Sequence, residues 1–312
     1  MFPLFDTHCD TARYIFDNNC SLLQSNGHIS LDKASCFRPC FQVAAIWCTY
    51  PDKSCAEVYS EYKKVYNYFK EQCFEHNVDL ITSKHDLDIY TQTNERRASF
   101  ILGIEDCGFI SDENTLNEVY NDGVRVIIPV WYGVNSLSGA HNTSEGLTAL
   151  GSNIINKASS LGMVLDVSHA SVKSSFEMLE IAAKYGSPII ASHSNSYSVF
   201  PHSRNLTDEQ ILAIKDANGL IGISLCPYHL SDKNTIGFCD VRRHLEHIIS
   251  ICGEENVCLG CDFDGTELPG DFRDISSLVG FYNYLSSAGF SNVLLNKIFF
   301  KNAFNKFTNY LK

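Results

Sequence analysis

The segment LFDTHCDTA, residues 4–12, places His8 and Asp10 two residues apart behind an apolar start. In an extended strand, residues i and i+2 share a face, so an imidazole and a carboxylate would be aimed at one point. A pair of metal ligands has this form. An exposed strand end with two ordinary polar residues has it too, so the weight of the pair depends on what the other strands end in.

Eight apolar runs can be read along the chain: FPLFDT, FQVAAIWCTY, SFILGIED, VRVIIPVWY, MVLDVSHA, PIIASHS, LIGISLC and NVCLGCDF. The first ends in His8 and Asp10, the third in Glu105, the fifth in His169, the sixth in His193 and the eighth in Asp262. One such ending says nothing. Five point to an architecture that gathers strand ends, because six such groups buried without partners would be very costly. Three histidines and three carboxylates are nitrogen and oxygen donors suited to Zn2+ or a similar divalent ion. One catalytic zinc takes three protein ligands and a water, so six groups fit two ions roughly 3.5–4 Å apart. A carboxylate is the natural bridge between two ions, and Glu105 is the candidate.

The elements that would position these groups are short strands alternating with helices. Each apolar run reads as a buried parallel strand. CAEVYSEYKKVYNYFKEQCFEHN has helical spacing, and LTDEQILAIKDANG has a capping box from Thr207 to Gln210 with a stop at Gly219. Eight such strands predict an α/β fold, a (β/α)8 TIM-type barrel, with one more helix after Lys301 as a C-terminal extension. An open doubly wound sheet would show a Gly-rich phosphate turn after its first strand, where this chain has THCD. The 312 residues are read as one domain, 1–312. The connection from Arg13 to Arg38 is long and is expected to cover the site.

Composition narrows the function classes. Hydrophobic residues make up 45% and charged residues 19%, the profile of a soluble globular protein. The net charge of -12 and the absence of any Lys/Arg cluster argue against a nucleic-acid partner. No apolar run approaches the ~20 residues of a membrane span, and no basic-then-apolar leader is read at the N-terminus. The 13 cysteines are therefore expected to be reduced thiols of a cytoplasmic enzyme. CFRPC and CLGC lack the second pair that a structural zinc site needs.

DTHCD, GIED, DVSH, SHSNS followed by HSRN, and GCDFDG together resemble the membrane (renal) dipeptidase family, zinc peptidases with an amidohydrolase-like barrel. The resemblance runs in order along nearly the whole chain, and its most specific segments are HSRNLTDEQ and GCDFDG. It implies that His8, Asp10 and Glu105 hold one zinc, and that Glu105, His169 and His193 hold the other. It implies a substrate-carboxylate contact for Arg204, an acid/base role beside the metals for Asp262, and a homodimer. One position departs. Many members carry a His after the fourth strand that contacts the substrate's peptide carbonyl, and IIPVWYGVN puts Trp131 there. Bacterial relatives often look this way. Indole is a donor only and cannot titrate, so the substrate range stays open.

The leading expectation is a dinuclear zinc dipeptidase acting on a small dipeptide, with Asp262 moving the proton of the attacking water to the leaving amine. Arg204, a planar fork for a terminal carboxylate, would confine it to short substrates with a free C-terminus. Two other readings stand beside it: another amidohydrolase-type hydrolase, such as a deacylase of N-acyl amino acids or a lactone or phosphoester hydrolase, and a metal-binding barrel without catalysis. Arg204 separates the first two, since an uncharged substrate does not need it. Asp166 and Asp264 are read as residues that orient ligands or make turns. His244 and His247 are read as ordinary residues of an outer helix. His141 and His202 are placed in loops without a role, and Cys9 points away from its two neighbours.

Overall fold

The structure, a computed structural model, describes residues 2–50, 52–92 and 98–311. Its strands are β1 (Phe2–Cys9), β2 (Phe37–Trp47), β3 (Asp79–Leu80), β4 (Ser99–Glu105), β5 (Val124–Ile128), β6 (Val164–Asp166), β7 (Ile189–Ala191), β8 (Leu220–Ile223) and β9 (Val257–Leu259). They run in the order β2-β1-β9-β8-β7-β6-β5-β4-β3, and β2 also pairs with β4. That last pairing, unbroken from Phe41 opposite Ser99 to Trp47 opposite Glu105, closes eight parallel strands into a barrel. The two residues of β3 were not foreseen. They pair with Ser99 and Phe100, ahead of Leu102 where β5 begins to pair.

The helices lie between strands, as their patterns predict. The helix Cys55–Glu75 opens with a capping box between Ser54 and Glu57. The helix Asp208–Asp216 opens with the Thr207–Gln210 box and ends before the predicted stop, with Asn218 in the left-handed region at φ 55°. The connection from Arg13 to Arg38 is not a plain loop: it starts inside the helix Thr11–Asp17, contains the helix Leu31–Ala34 and ends within β2. Among the described residues no helix is long and apolar enough to cross a membrane.

The barrel interior is layered. Its base is filled by Phe5, Phe41, Ile101, Val126, Val164, Ile190 and other strand residues, sealed by Phe307, Tyr310 and Leu311 from the C-terminal helix Asn302–Tyr310 and its end. Two residues further along the same faces stand small or polar residues, among them Thr7, Gly103, Ser192, Gly222 and Gly260. Crowding explains two of these glycines. A Cβ on Gly222 would lie 1.9 Å from the Ser192 carbonyl oxygen, and one on Gly260 would lie 1.7 Å from it. This narrow middle layer lets the larger side chains above it converge.

Candidate metal centre and active site

The predicted ligands meet at the C-terminal mouth of the barrel. His8 is in β1, with Asp10 just past its end; Glu105 closes β4. His169, His193 and Asp262 lie beyond β6, β7 and β9 rather than in them. The chain turns to bring them in: His169 has φ 67° and Asp262 φ 62°. Asp106 and Asp264 are also left-handed, each at φ 67°. Left-handed backbone is uncommon outside glycine, and four cases at one barrel mouth mark strain gathered at a site.

Glu105 stands at the centre. Its Oε1 lies 2.8 Å from His169 Nε2 and 3.5 Å from His193 Nε2, and its Oε2 lies 3.7 Å from His8 Nε2. Asp10 and Asp262 approach His8 Nε2 at 3.5 and 3.9 Å. Among the described residues, three triads have ligand atoms all within 4.8 Å of one another: His8–Asp10–Glu105, Glu105–His169–His193 and His8–His193–Asp262. The first two are the sets that the family resemblance implies. The third shows Asp262 within reach of the same centre.

The donor chemistry fits divalent cations. The Trp131 carbonyl, 3.0 Å away, can only accept, so His169 Nδ1 carries the proton and its Nε2 presents a lone pair. That lone pair faces His193 Nε2 at 2.9 Å and the Glu105 carboxylate. His8 Nε2, Asp10 Oδ1 and Glu105 Oε1 are buried and have no hydrogen bond. Burial, with Asp10 and Glu105 adding repulsion against help from His8, raises the pKa of Asp262 far above the carboxylate range. Burial opposes a charged His8, yet Glu105, Asp10 and Asp262 outweigh it and push its pKa up to about 10. Burial and then the Arg204 charge hold His169 well below the usual imidazole range. Convergent lone pairs and crowded carboxylates are an electrostatic demand for positive charge, which a divalent cation meets.

One hydroxyl serves two ligands that sequence reasoning did not connect. Ser192 Oγ lies 2.8 Å from His193 Nδ1 and 3.3 Å from His8 Nδ1. With both Nε2 atoms turned to the carboxylates, it is placed to accept both Nδ1 protons and so fix both rings. Its signal in the sequence is only its position before His193. His244, read as an ordinary helix residue, is fully buried: its Nδ1 accepts from the Ser196 amide at 3.0 Å and its Nε2 donates to the Leu230 carbonyl at 2.9 Å. It braces the segment that leaves His193. Asp264 binds Thr11 Oγ1 at 2.6 Å and the His28 amide, tying the β1–β2 connection to the β9 end.

Arg204 is 4% exposed and has no carboxylate within ion-pair distance among the described residues. One terminal nitrogen donates to Ser194 Oγ at 3.0 Å and the other to the His193 carbonyl at 2.9 Å, while its Nε has no partner. The guanidinium is thus pinned to the segment that supplies a ligand. His202 Nδ1 accepts from the Arg204 amide, and the His141 ring sits 6.2 Å from that of His169, so both loop histidines border the site. A cleft of about 340 Å³ opens over Asp10, Glu105, His169 and Asp262. It is also lined by Trp47 and Trp131, whose rings meet edge to face at 5.4 Å, and by Arg13 and Tyr14 of the helix after β1. Arg204 is not among its lining residues. The long connection after β1 does reach the site, through that helix.

Known proteins place this architecture. The membrane dipeptidase model, peptidase family M19, matches residues 1–309. A Klebsiella pneumoniae protein from the pqqA 5' region is 34% identical over 69% of this chain and 83% of its own length. The Aspergillus oryzae dipeptidase aclJ is 29% identical over 62% of this chain, a match spanning 47% of its own length. Two solved structures share the fold: a Rhodobacter sphaeroides metallopeptidase bound to a phosphinate mimic of L-Ala-D-Ala (TM-score 0.89, 22% identity, 100% of this chain and 99% of that one), and dipeptidase AC (TM-score 0.86, 23% identity, 98% and 97%). On the family match over almost its entire length, the chain belongs to the membrane dipeptidase family, peptidase family M19.

Proposed function

We propose that the protein is a dinuclear zinc dipeptidase that hydrolyses short substrates with a free C-terminal carboxylate. The observation that carries this reading is the straddling position of Glu105, with one oxygen toward His169 and His193 and the other toward His8. His8, Asp10 and Glu105 would hold one zinc, and Glu105, His169 and His193 the other. When bound, such a pair polarises a carbonyl and acidifies the attacking water. Asp262 is outside the two triads assigned to zinc, although it forms a third with His8 and His193, and it lines the cleft; with the cations in place to hold it ionised, it would take up the water's proton and deliver it to the leaving amine. Arg204, buried against the His193–Ser194 segment and outside the cleft lining in this structure, would meet the terminal carboxylate with donors that its protein partners leave unused. Trp131 lines the cleft as a contact for the substrate, offering a donor that does not titrate.

The Rhodobacter relative binds a mimic of a dipeptide ending in a D-residue, and we extend that tolerance to this chain. A panel of L-Xaa-L-Xaa, L-Xaa-D-Xaa and C-terminally amidated dipeptides with zinc-loaded protein tests the reading. Free dipeptides of both series are expected to be cleaved and the amides poorly. Equal cleavage of free and amidated substrates would contradict it and favour a general amidohydrolase.

A further inference from the structure

Two fully buried carboxylates, Asp6 and Asp166, have no part in the mechanism above. Each uses a single oxygen, Oδ1, to accept two backbone amides. Asp6 accepts from His8 at 3.3 Å and Cys261 at 2.8 Å. Asp166 accepts from Ser168 at 2.9 Å and Ser192 at 3.0 Å. The four amides share one property: His8 is itself a proposed ligand, and Cys261, Ser168 and Ser192 immediately precede Asp262, His169 and His193. Each carboxylate therefore clasps the backbone at or just before a site residue on its own side to the backbone just before a site residue on the neighbouring one, β1 to β9 and β6 to β7. The clasps act at the strand ends: β6, β7 and β9 stop at Asp166, Ala191 and Leu259, and beside the Asp6 clasp two backbone hydrogen bonds, from the Asp262 amide to the His8 carbonyl and from the Asp10 amide to the Phe263 carbonyl, carry the chain on past β9.

The second oxygen of each, Oδ2, is buried without a hydrogen bond. A buried, half-satisfied carboxylate is a costly way to hold two amides, and nearby positive charge would offset that cost. We propose that Asp6 and Asp166 are positioning residues, one for each half of the metal centre: Asp6 sets His8 and Asp262, and Asp166 sets His169 and His193. The proposal rests on the dinuclear reading above for its division into halves.

Stepwise zinc affinity, measured on the full chain by competition with a chromophoric chelator, tests it without reference to peptide hydrolysis. Asp10→Ala and His169→Ala identify which step belongs to which half. Asp6→Ala should weaken the step lost in Asp10→Ala by about 10- to 100-fold, and Asp166→Ala the step lost in His169→Ala, each leaving the other step within about threefold. Asp6→Asn and Asp166→Asn keep an accepting oxygen and should recover most of the loss. Equal weakening of both steps by either alanine variant, or asparagine variants as weak as the alanine ones, would overturn the assignment. A single binding step in the wild type would instead sink the dinuclear reading. In that case, or if an alanine variant does not fold, amide exchange in the wild type decides. Protection of the Cys261, Ser168 and Ser192 amides equal to that of the strands supports the clasps, and exchange at loop rates overturns them.

Discussion

The base and the mouth of this barrel are built on the same strands and do opposite things. At the base, Phe5, Ile101, Val164 and Ile190 pack against Phe307 and Tyr310 in ordinary extended geometry. At the mouth, those strands lead to His8, Glu105, His169 and His193, with left-handed residues, convergent lone pairs and buried atoms that lack hydrogen bonds. On β4 the whole transition takes three residues of one face: Ile101, Gly103 and Glu105. The difference teaches where stability and chemistry are separated. An apolar plug that needs no partners can hold the frame while the opposite end keeps strain and charge for function. Substitutions at the two ends should accordingly fail in different ways.

The largest effect belongs to the mouth. Asp262→Asn should lower kcat by ~10²–10⁴-fold while leaving metal content and melting temperature near the wild-type values, as steady-state kinetics, elemental analysis and calorimetry would show. A variant with wild-type turnover would remove Asp262 from the proton path.

Arg204→Ala comes next. Removing one partner of a desolvated charge pair costs roughly 2–5 kcal/mol, so kcat/KM for a free dipeptide should fall by about two to three orders of magnitude. An amidated dipeptide should lose far less. Arg204→Lys should recover little, because an ammonium lacks the fork. Parallel losses on free and amidated substrates would mean damage to the frame rather than loss of a carboxylate contact.

The base gives the opposite signature. Phe307→Ala should cost about 3–5 kcal/mol of stability in denaturant titration, with kcat unchanged for the protein that remains folded. A loss of kcat without a loss of stability would break the separation between the two ends.

The smallest effect sharpens the comparison one layer below the candidate metal ligands. Ser192→Ala should weaken zinc binding by about 10- to 100-fold, since one hydroxyl orients two rings. Unchanged affinity would leave the orientation of His8 and His193 to packing alone.

Much of this was legible in the sequence, for physical reasons. Fully buried parallel strands read as continuous apolar runs, so the barrel announced itself, and ligands at strand ends stood out against those runs. The capping boxes followed from local spacing alone. What stayed hidden depends on contacts between distant segments. Ser192 looks like any serine until β7 brings it beside β1. His244 sits on a helix whose period says nothing of the buried amide it accepts. Asp6 and Asp166 read as ordinary strand residues because their partners, the Cys261 and Ser192 amides, belong to other strands. The left-handed turns at His169 and Asp262 carry no glycine to signal them, so the strands were read too long. The pairing of β3 rests on two residues, too few for any period.

The most direct test of the central claim, a two-ion centre bridged by Glu105, is zinc stoichiometry. The wild type, stripped with a chelator and titrated with zinc under elemental analysis, should saturate at two ions per chain, and Glu105→Gln should lower occupancy of both sites. Saturation at one ion per chain, or a Glu105→Gln variant that still binds two ions as tightly as the wild type, would contradict it.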